Sequence, residues 1–225
     1  MLKFRLLLPE RLMLKIHTFV NGPIQENAYL CHEEGFIEAV LIDPGDEAGR
    51  LEREIRALGL KPQLILATHG HFDHVGAVAA LAAAFGIPFA MHGADGFLLD
   101  RLADMAAFYG QEATQRPGVQ QALLGGESVG VAGLTLKVLA TPGHSPGSLC
   151  YYHAESGSLF SGDTLFEGSV GRSDTEGGSH ATLIASIHRE LLGLPDATLV
   201  YPGHGAATTI GDERRHNPHL QGPRG

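Results

Sequence analysis

Three histidines and one aspartate lie within six consecutive positions, the densest group of potential metal ligands in the sequence. Residues 68–74 read Thr-His-Gly-His-Phe-Asp-His. Imidazole is the commonest side-chain metal ligand, and a carboxylate oxygen complements it at a borderline metal. Polar side chains this close would each need a partner once desolvated, and one bound cation serves all of them. The spacing therefore predicts a metal site that contains His69, His71, Asp73 and His74.

Three later segments each place a glycine beside a histidine or an aspartate, close to an apolar run of strand type. They read Thr-Pro-Gly-His-Ser-Pro-Gly-Ser at residues 141–148, Leu-Phe-Ser-Gly-Asp-Thr-Leu-Phe at residues 159–166, and Leu-Val-Tyr-Pro-Gly-His-Gly at residues 199–205. Glycine lets the backbone turn sharply at a strand end, so a side chain can point into a cleft. A histidine-rich surface loop would need no such partners. We therefore interpret His144, Asp163 and His204 as partners of the first cluster.

The order of these residues resembles the metallo-β-lactamase superfamily, in which His-x-His-x-Asp-His is followed by single His, Asp and His residues. The three glycine-bearing segments, together with Gly-Arg-Ser-Asp at residues 171–174, are similar to the glyoxalase II group, the hydroxyacylglutathione hydrolases. The resemblance runs from about Lys15 to about Pro218. It implies an α/β fold, an αββα sandwich of two mixed β-sheets with helices on the outer faces.

The resemblance also implies a dinuclear centre with a defined ligand set. The first metal would be held by His69, His71 and His144, the second by Asp73, His74 and His204, and both by a bridging Asp163. A hydroxide between the two ions would attack a substrate carbonyl, with Asp73 as the catalytic residue that orients it and accepts its proton. The cofactors are thus two divalent ions, with zinc favoured and iron or manganese as alternatives, because a His/Asp site accepts all three.

The function implied is hydrolysis of a small-molecule thioester of the S-lactoylglutathione type, possible without a serine or cysteine nucleophile. Asp163 argues against the type of zinc β-lactamase that has cysteine at this place. One alternative is a persulfide dioxygenase with a single iron on His69, His144 and Asp163. A lactonase or other ester hydrolase of the same fold is a close variant. A binding module without catalysis is the least favoured, because the ligand set is complete.

Four further residues are candidates for supporting roles around the metals or the substrate. Asp43 precedes Pro-Gly at a strand end, and either hydrogen-bonds a ligand or simply forms a turn. Thr68 could cap the histidine loop. Arg172 and Asp174 form a structural ion pair or face the substrate, and we favour the ion pair. His92, at another strand end, is interpreted as structural.

Composition and charge narrow the class of protein. The chain has 225 residues and a formal net charge of −9, which disfavours general nucleic-acid binding because phosphate backbones need clustered Lys and Arg. It contains neither an apolar run of about 18 residues for a membrane span nor a typical signal peptide, so we expect a cytoplasmic protein. Cys31 and Cys150 are expected to be buried free thiols. The oligomeric state is left open.

We expect residues 13–225 to form one metallo-β-lactamase-like domain and residues 1–12 to be an N-terminal extension without an assigned function. Longer glyoxalase II enzymes carry a C-terminal helical domain whose basic residues hold the glutathione carboxylates. Only 21 residues follow His204, which is typical of the short single-domain branch without that domain. The substrate is therefore expected to be a small thioester, but its link to glutathione is left open.

The hydrophobic pattern predicts the elements that position the ligands. We expect strands at residues 14–20, 27–32, 36–42, 63–67, 87–91, 127–131, 134–140, 148–153, 157–161 and 197–201. We expect helices at residues 46–58, 74–85, 95–109 and 179–191, and a polar connection at 111–126. Because every candidate ligand follows a predicted strand, the ligands should meet along one edge of the sandwich.

Overall fold

The computed structural model describes residues 13–109 and 115–221. The expected extension at residues 1–12 therefore lies outside the described residues, as do residues 110–114 and 222–225. The described chain forms two six-stranded sheets and a separate small hairpin. None of the helices in the two described stretches combines the length and hydrophobicity needed to cross a membrane.

The first sheet contains six strands in sequence order. They are β1 (Leu14–Asn21), β2 (Glu26–Glu33), β3 (Glu38–Ile42), β4 (Lys61–Leu66), β5 (Phe89–His92) and β6 (Gln121–Leu123). β1 and β2 pair antiparallel, as do β2 and β3, and the pairs from β3 to β6 are parallel. The helices of this half are α1 (Ala48–Ala57), α2 (Phe72–Val75), α3 (Val78–Phe85), α4 (Gly96–Asp100) and α5 (Leu102–Phe108).

The second half contains the remaining elements. Its strands are β7 (Ser128–Val131), β8 (Leu134–Ala140), β9 (Leu149–His153), β10 (Ser158–Gly162), β11 (Leu165–Phe166), β12 (Ser169–Val170), β13 (Leu199–Pro202) and β14 (Thr208–Thr209). The second sheet has the order β14-β13-β10-β9-β8-β7, and β11 pairs with β12 in the hairpin. The described residues of this half form two helices. The helix α6 (His180–Ser186) lies between β12 and β13 and continues as a π-helical segment over Ile187–Leu191, and α7 (Ile210–His216) follows β14.

Alternation along the strands divides the core into layers. Successive side chains of a strand point to opposite faces of its sheet. Val40 and Ile42 thus pack in the cluster between the two sheets, whereas Ala39 and Leu41 pack with residues of α1 and α3. A third cluster lies between the second sheet and the helices α6 and α7. The layer order helix, sheet, sheet, helix confirms the predicted αββα sandwich, and Cys31 and Cys150 are buried free thiols as expected.

Two predicted helices are interrupted, and both predictions were wrong in this respect. The helix predicted at 74–85 is split at Gly76 because the amide of Ala77 donates to Pro44 O at 3.1 Å instead of continuing the helical ladder. A Cβ at Gly76 would lie 2.3 Å from Gly45 O, so this close approach requires glycine. The helix predicted at 95–109 consists of a 3-10 turn, α4 and α5, with a break at Arg101.

The prediction of a connection without strands at 111–126 was also wrong, since β6 adds to the edge of the first sheet beside β5. This short strand buries Leu123 between the sheets. The prediction missed the hairpin β11–β12, the strand β14 and the helix α7. These elements have two to seven residues, too few for a hydrophobic period to be distinctive.

Candidate metal centre

The candidate ligands meet at one edge of the sandwich and come from both halves of the chain. His69 and His71 follow β4 in a loop that leads into α2, Asp73 and His74 lie in α2 itself, and His144 lies in the loop between β8 and β9. Asp163 and His204 follow β10 and β13, whose parallel pairing brings their ends to the same place. Gly162, immediately before Asp163, has a φ of 48°, and a Cβ there would lie 2.2 Å from Thr68 Oγ1. Glycine is therefore required at this turn.

Three imidazole nitrogens of the first cluster face one another. His144 Nε2 lies 3.1 Å from His69 Nε2 and 2.9 Å from His71 Nδ1. The ring planes are nearly perpendicular, at 85–89° for the three ring pairs. Lone pairs this close repel unless a proton or a cation lies between them. Ligand nitrogens at about 2.0–2.1 Å from a shared zinc ion come about this close to each other.

The second cluster lies beside the first and shares a carboxylate with it. Asp73 Oδ2 is 3.2 Å from His204 Nε2 and 3.5 Å from His74 Nε2. Asp163 Oδ1 is 3.3 Å from His74 Nε2 and 3.8 Å from His204 Nε2, and its other oxygen is 3.6 Å from His144 Nε2. The Asp163 carboxylate thus presents one oxygen to each cluster.

Two buried polar atoms in these clusters indicate that a cation fits here. His74 Nε2 and Asp163 Oδ1 have no hydrogen-bond partner among the described residues. Leaving such an atom buried and unpaired costs about 1–3 kcal/mol. Among the described residues, three groups made only of candidate ligands lie close enough to hold an ion, namely His69/His71/His144, His69/His74/Asp163 and Asp73/His74/His204. A fourth group, Glu26/Asp43/His74, lies behind them. Nitrogen and carboxylate donors in this combination suit a divalent zinc, iron or manganese ion.

Hydrogen bonds on the far side of the rings fix their tautomers. His144 Nδ1 lies 2.7 Å from Arg172 O, and a carbonyl can only accept, so Nδ1 carries the proton. His74 Nδ1 donates in the same way to Asp43 Oδ2 at 3.0 Å. When these rings are neutral, the Nε2 lone pair of each therefore faces the clusters, as a metal ligand requires.

Asp43 and Thr68 fix the tautomer of His69 through two successive hydrogen bonds, which we call the relay. Thr68 Oγ1 donates to Asp43 Oδ2 at 2.7 Å, so its oxygen accepts from His69 Nδ1 at 3.1 Å. The Thr68 amide donates to Asp43 Oδ1 at 2.6 Å. Asp43 itself has a φ of 50°, a left-handed conformation that aspartate adopts more readily than most residues. The structure thus places the two predicted supporting residues behind the histidines.

Two imidazoles of the first cluster, those of His69 and His71, favour their neutral forms. Burial, followed by the neighbouring imidazoles, holds the pKa of His69 well below its usual range. Burial also lowers the pKa of His71 to about 4. A neutral imidazole is the form that binds a metal, so at neutral pH this cluster needs to lose few protons before an ion enters.

The two imidazoles of the second cluster, by contrast, favour their protonated forms. Burial opposes a charge on His74, but the carboxylates of Asp73 and Asp163 outweigh it and raise the pKa of His74 well above its usual range. Burial opposes a charge on His204 as well, yet the hydrogen bond with Asp73 raises its pKa. Although burial disfavours ionised carboxylates, His74 lowers the pKa of both Asp73 and Asp163. His74 and His204 therefore form ion pairs with Asp73 and Asp163, and a cation that enters this cluster would displace the protons of the two imidazoles.

The predicted pair Arg172 and Asp174 lies at the mouth of the site. Their exposed side chains make two hydrogen bonds, at 2.9 and 3.1 Å. The contact of Arg172 with the clusters is made by its backbone carbonyl, through His144. His92 accepts a hydrogen bond from the amide of Ala94 at 3.0 Å, in agreement with a structural role.

Two buried carboxylates near the site were missed by the sequence analysis. Asp95 Oδ2 accepts from Gly70 N at 3.0 Å and from Ser145 Oγ at 2.6 Å, and its Oδ1 accepts from Gly147 N at 2.6 Å. It thereby ties the first histidine loop to the loop that carries His144. Glu26 Oε1 lies 3.8 Å from His74 Nδ1, and burial raises the pKa of Glu26 well above its usual range.

A cavity of about 210 Å³ opens over both clusters. Its walls include ligand candidates from each cluster, together with Tyr109, Met105, Ile24 and Arg172. The ring of Tyr109 stacks on Phe72 with centroids 4.7 Å apart. A small molecule in this cavity would thus lie between the two clusters and an apolar wall.

A family model and a known enzyme both match most of this chain. Residues 21–204 match the family model of the metallo-β-lactamase superfamily. The hydroxyacylglutathione hydrolase GloC of Haemophilus influenzae is 39% identical over 189 residues, which cover 81% of this chain and 87% of GloC.

Two solved structures are similar over nearly the whole described chain. The crystal structure of the BLEG-1 B3 metallo-β-lactamase has a TM-score of 0.86 and 42% identity, covering 93% of this chain and 100% of the other. The structure of TTHA1623 in a di-iron-bound form has a TM-score of 0.82 and 44% identity, covering 91% and 100%.

Proposed function

Because this chain belongs to the metallo-β-lactamase superfamily and is a metallo-hydrolase of that family, we propose that it hydrolyses a small-molecule thioester of the S-lactoylglutathione type. The observation that carries the proposal is the convergence of seven side chains into two clusters joined by the Asp163 carboxylate. The similarity to a hydroxyacylglutathione hydrolase supports a glutathione-linked substrate.

The side chains would divide between two ions as the sequence suggested. His69, His71 and His144 would hold the first ion, Asp73, His74 and His204 the second, and Asp163 both. When bound, two such ions activate a water molecule at neutral pH and polarise the carbonyl that it attacks. We propose zinc first, with iron or manganese as alternatives, and the di-iron form of a similar protein supports iron as a candidate.

The chain's own residues would prepare the reaction. Asp73, ionised because of His74 and facing the cavity, would accept a hydrogen bond from the attacking water. It would take the proton of the water on the oxygen that does not face the second cluster and pass it to the leaving sulfur. Hydrolysis forms a carbon–oxygen bond, breaks the carbon–sulfur bond, and gives a carboxylate and a thiol. Phe72 and Tyr109 would shield the carbonyl from bulk water. Asp43 and Thr68 would keep His69 and His74 in the tautomer that leaves Nε2 unprotonated.

A single iron on His69, His144 and Asp163 remains a second arrangement, in which the chain would be a persulfide dioxygenase. The unpartnered His74 Nε2 argues against it, because a mononuclear site would leave this buried atom without a ligand role. Hydrolysis of a β-lactam is a further candidate because of the similarity to a B3 metallo-β-lactamase. The same centre would then attack an amide carbonyl.

We also propose that residues 13–225 act as one domain and that the protein works in the cytoplasm. The buried free thiols of Cys31 and Cys150 support a reducing compartment. We propose neither nucleic acid nor membrane as a partner, in keeping with the net charge of −9.

The test combines metal content with a substrate panel. Elemental mass spectrometry of freshly purified protein should give about two ions per chain. The loaded protein should hydrolyse S-lactoylglutathione or a related thioester faster than a lactone or a β-lactam. One iron per chain with oxygen uptake on glutathione persulfide would refute the hydrolase. Rapid turnover of the β-lactam with inert thioesters would refute the substrate class.

A further inference from the structure

A second chamber, which we call the side chamber, lies next to the cavity over the clusters, on the side of His71. It measures about 220 Å³ and is walled mainly by Gly70, Phe72, Leu98 and Met105, with Arg101 and Glu176 among its lining residues. His71, Phe72, Met105 and Thr175 line both spaces, so a bound molecule can extend from one into the other.

The lining of the side chamber suits an uncharged, apolar group. Arg101 and Glu176 form an ion pair with each other, so their charges offset. The remaining titratable residue of the described lining, His71, belongs to the first cluster, where its Nδ1 lies 2.9 Å from His144 Nε2. Glutathione, a tripeptide with two carboxylates, would therefore lose hydration there without finding an unpaired cationic side chain.

The floor of the chamber is closed by tight packing. A Cβ on Gly70 would lie 3.2 Å from Leu98 Cβ and 2.9 Å from Asp95 O, so the loop after β4 packs directly against α4. An apolar cavity of about 150 Å³ is large enough to bind benzene. A space of about 220 Å³ therefore accepts an apolar group of roughly four to eight carbon atoms.

We propose that the side chamber binds the acyl group of the substrate and selects apolar acyl groups over hydroxyacyl groups; this inference rests on the proposed thioester hydrolase. A thioester carbonyl held at the two clusters has one substituent on carbon and one on sulfur. The carbon substituent enters the side chamber, and the thiol part leaves by the mouth beside Arg172. A hydroxyl group on the acyl chain loses its water partners in this chamber, whereas each methylene gains from burial.

The first test measures kcat/KM of the metal-loaded protein for glutathione thioesters with acetyl, butanoyl, hexanoyl and D-lactoyl groups. We expect a rise of about fourfold for each methylene buried, with D-lactoyl below butanoyl. Met105→Trp should fill the chamber and remove this gain. Ala107→Trp is the matched control, because Ala107 is exposed and two positions along the same helix, on the opposite side from Met105.

The second test measures binding without turnover. Acetate, butanoate and hexanoate, the corresponding products, are titrated into the metal-loaded protein by calorimetry. Their affinity should rise with chain length in the wild type and in Ala107→Trp, but not in Met105→Trp. Because this readout needs no hydrolysis, it separates the side chamber from the proposed reaction.

Each combination of results has a distinct meaning. Thioester hydrolysis that is independent of chain length, with equal binding of the three carboxylates, would overturn the acyl-group inference and leave the hydrolase intact. Chain-length-dependent binding without thioester hydrolysis would refute the reaction and retain a site for apolar carboxylates. Flat binding with no hydrolysis would overturn both.

Discussion

Replacing Asp43 by asparagine tests whether the tautomers of the histidines matter for metal binding. The substitution keeps the size of the side chain, and asparagine adopts the left-handed conformation found at Asp43 as readily as aspartate does. What changes is the number of acceptor oxygens. Asp43 Oδ2 accepts from Thr68 Oγ1 at 2.7 Å and from His74 Nδ1 at 3.0 Å, while Oδ1 accepts from Thr68 N at 2.6 Å.

An amide has one oxygen for these two positions. If the oxygen stays opposite the Thr68 amide, the NH₂ group faces His74 Nδ1, and the ring proton moves to Nε2. A protonated Nε2 cannot bind a metal. Changes in a residue that hydrogen-bonds a metal ligand weaken metal affinity by about 10–100-fold, which corresponds to about 1.4–2.7 kcal/mol. The lost charge-assisted hydrogen bonds should also lower the free energy of unfolding by about 1.5–3 kcal/mol.

The assay is competition for zinc between the protein and a fluorescent chelator, with urea unfolding of the same samples. Asp174→Asn is the matched control, since it removes an exposed carboxylate that pairs with Arg172, and it should leave both the zinc affinity and the urea midpoint unchanged. Wild-type affinity for both ions in Asp43→Asn would refute the reasoning. An equal loss in Asp174→Asn would show that the effect is not specific to the relay.

Three further predictions follow from the clusters and the chain start. Asp163→Ala removes the carboxylate shared by both clusters, so it should abolish hydrolysis and reduce metal content; near-normal activity would contradict a bridged site. On acidification from pH 7.5, the second cluster should lose its ion first, because protons compete at the raised pKa values of His74 and His204, whereas His71 with a pKa of about 4 competes little above pH 5. Metal content after dialysis at each pH checks this order, and simultaneous loss of both ions would contradict it. A chain that starts at Met13 should remain soluble and active, and insoluble protein would show that residues 1–12 are needed.

The candidate ligands could be predicted because their chemistry leaves a pattern in the sequence. Four potential ligands in six positions are rare, and each later candidate stands beside a glycine at a strand end. The αββα layers were predictable for a similar reason, since the continuous apolar run at residues 39–42 of β3 is typical of a strand that is buried on both faces.

The features that the sequence did not predict depend on contacts between distant residues, and such contacts leave no local pattern. Asp95 binds the amides of Gly70 and Gly147, and an amide is present at almost every position. The break at Gly76 depends on Pro44 O, and the alanine-rich segment by itself reads as one continuous helix. Glu26 was missed because a single glutamate in a strand gives no sign of its burial next to His74.

The division of the clusters between the two halves of the chain has a consequence for biosynthesis. During translation, His69 and His71 emerge early, His144 and Asp163, which complete the ligand set proposed for the first ion, follow later, and His204 emerges last of these residues. The nascent chain therefore gains its full affinity for metal only after both sheets have been made and have docked. Ions bound at the end of synthesis would hold the two halves of the chain together. In cells short of metal, we therefore expect more chains in which the halves separate and which are degraded more readily.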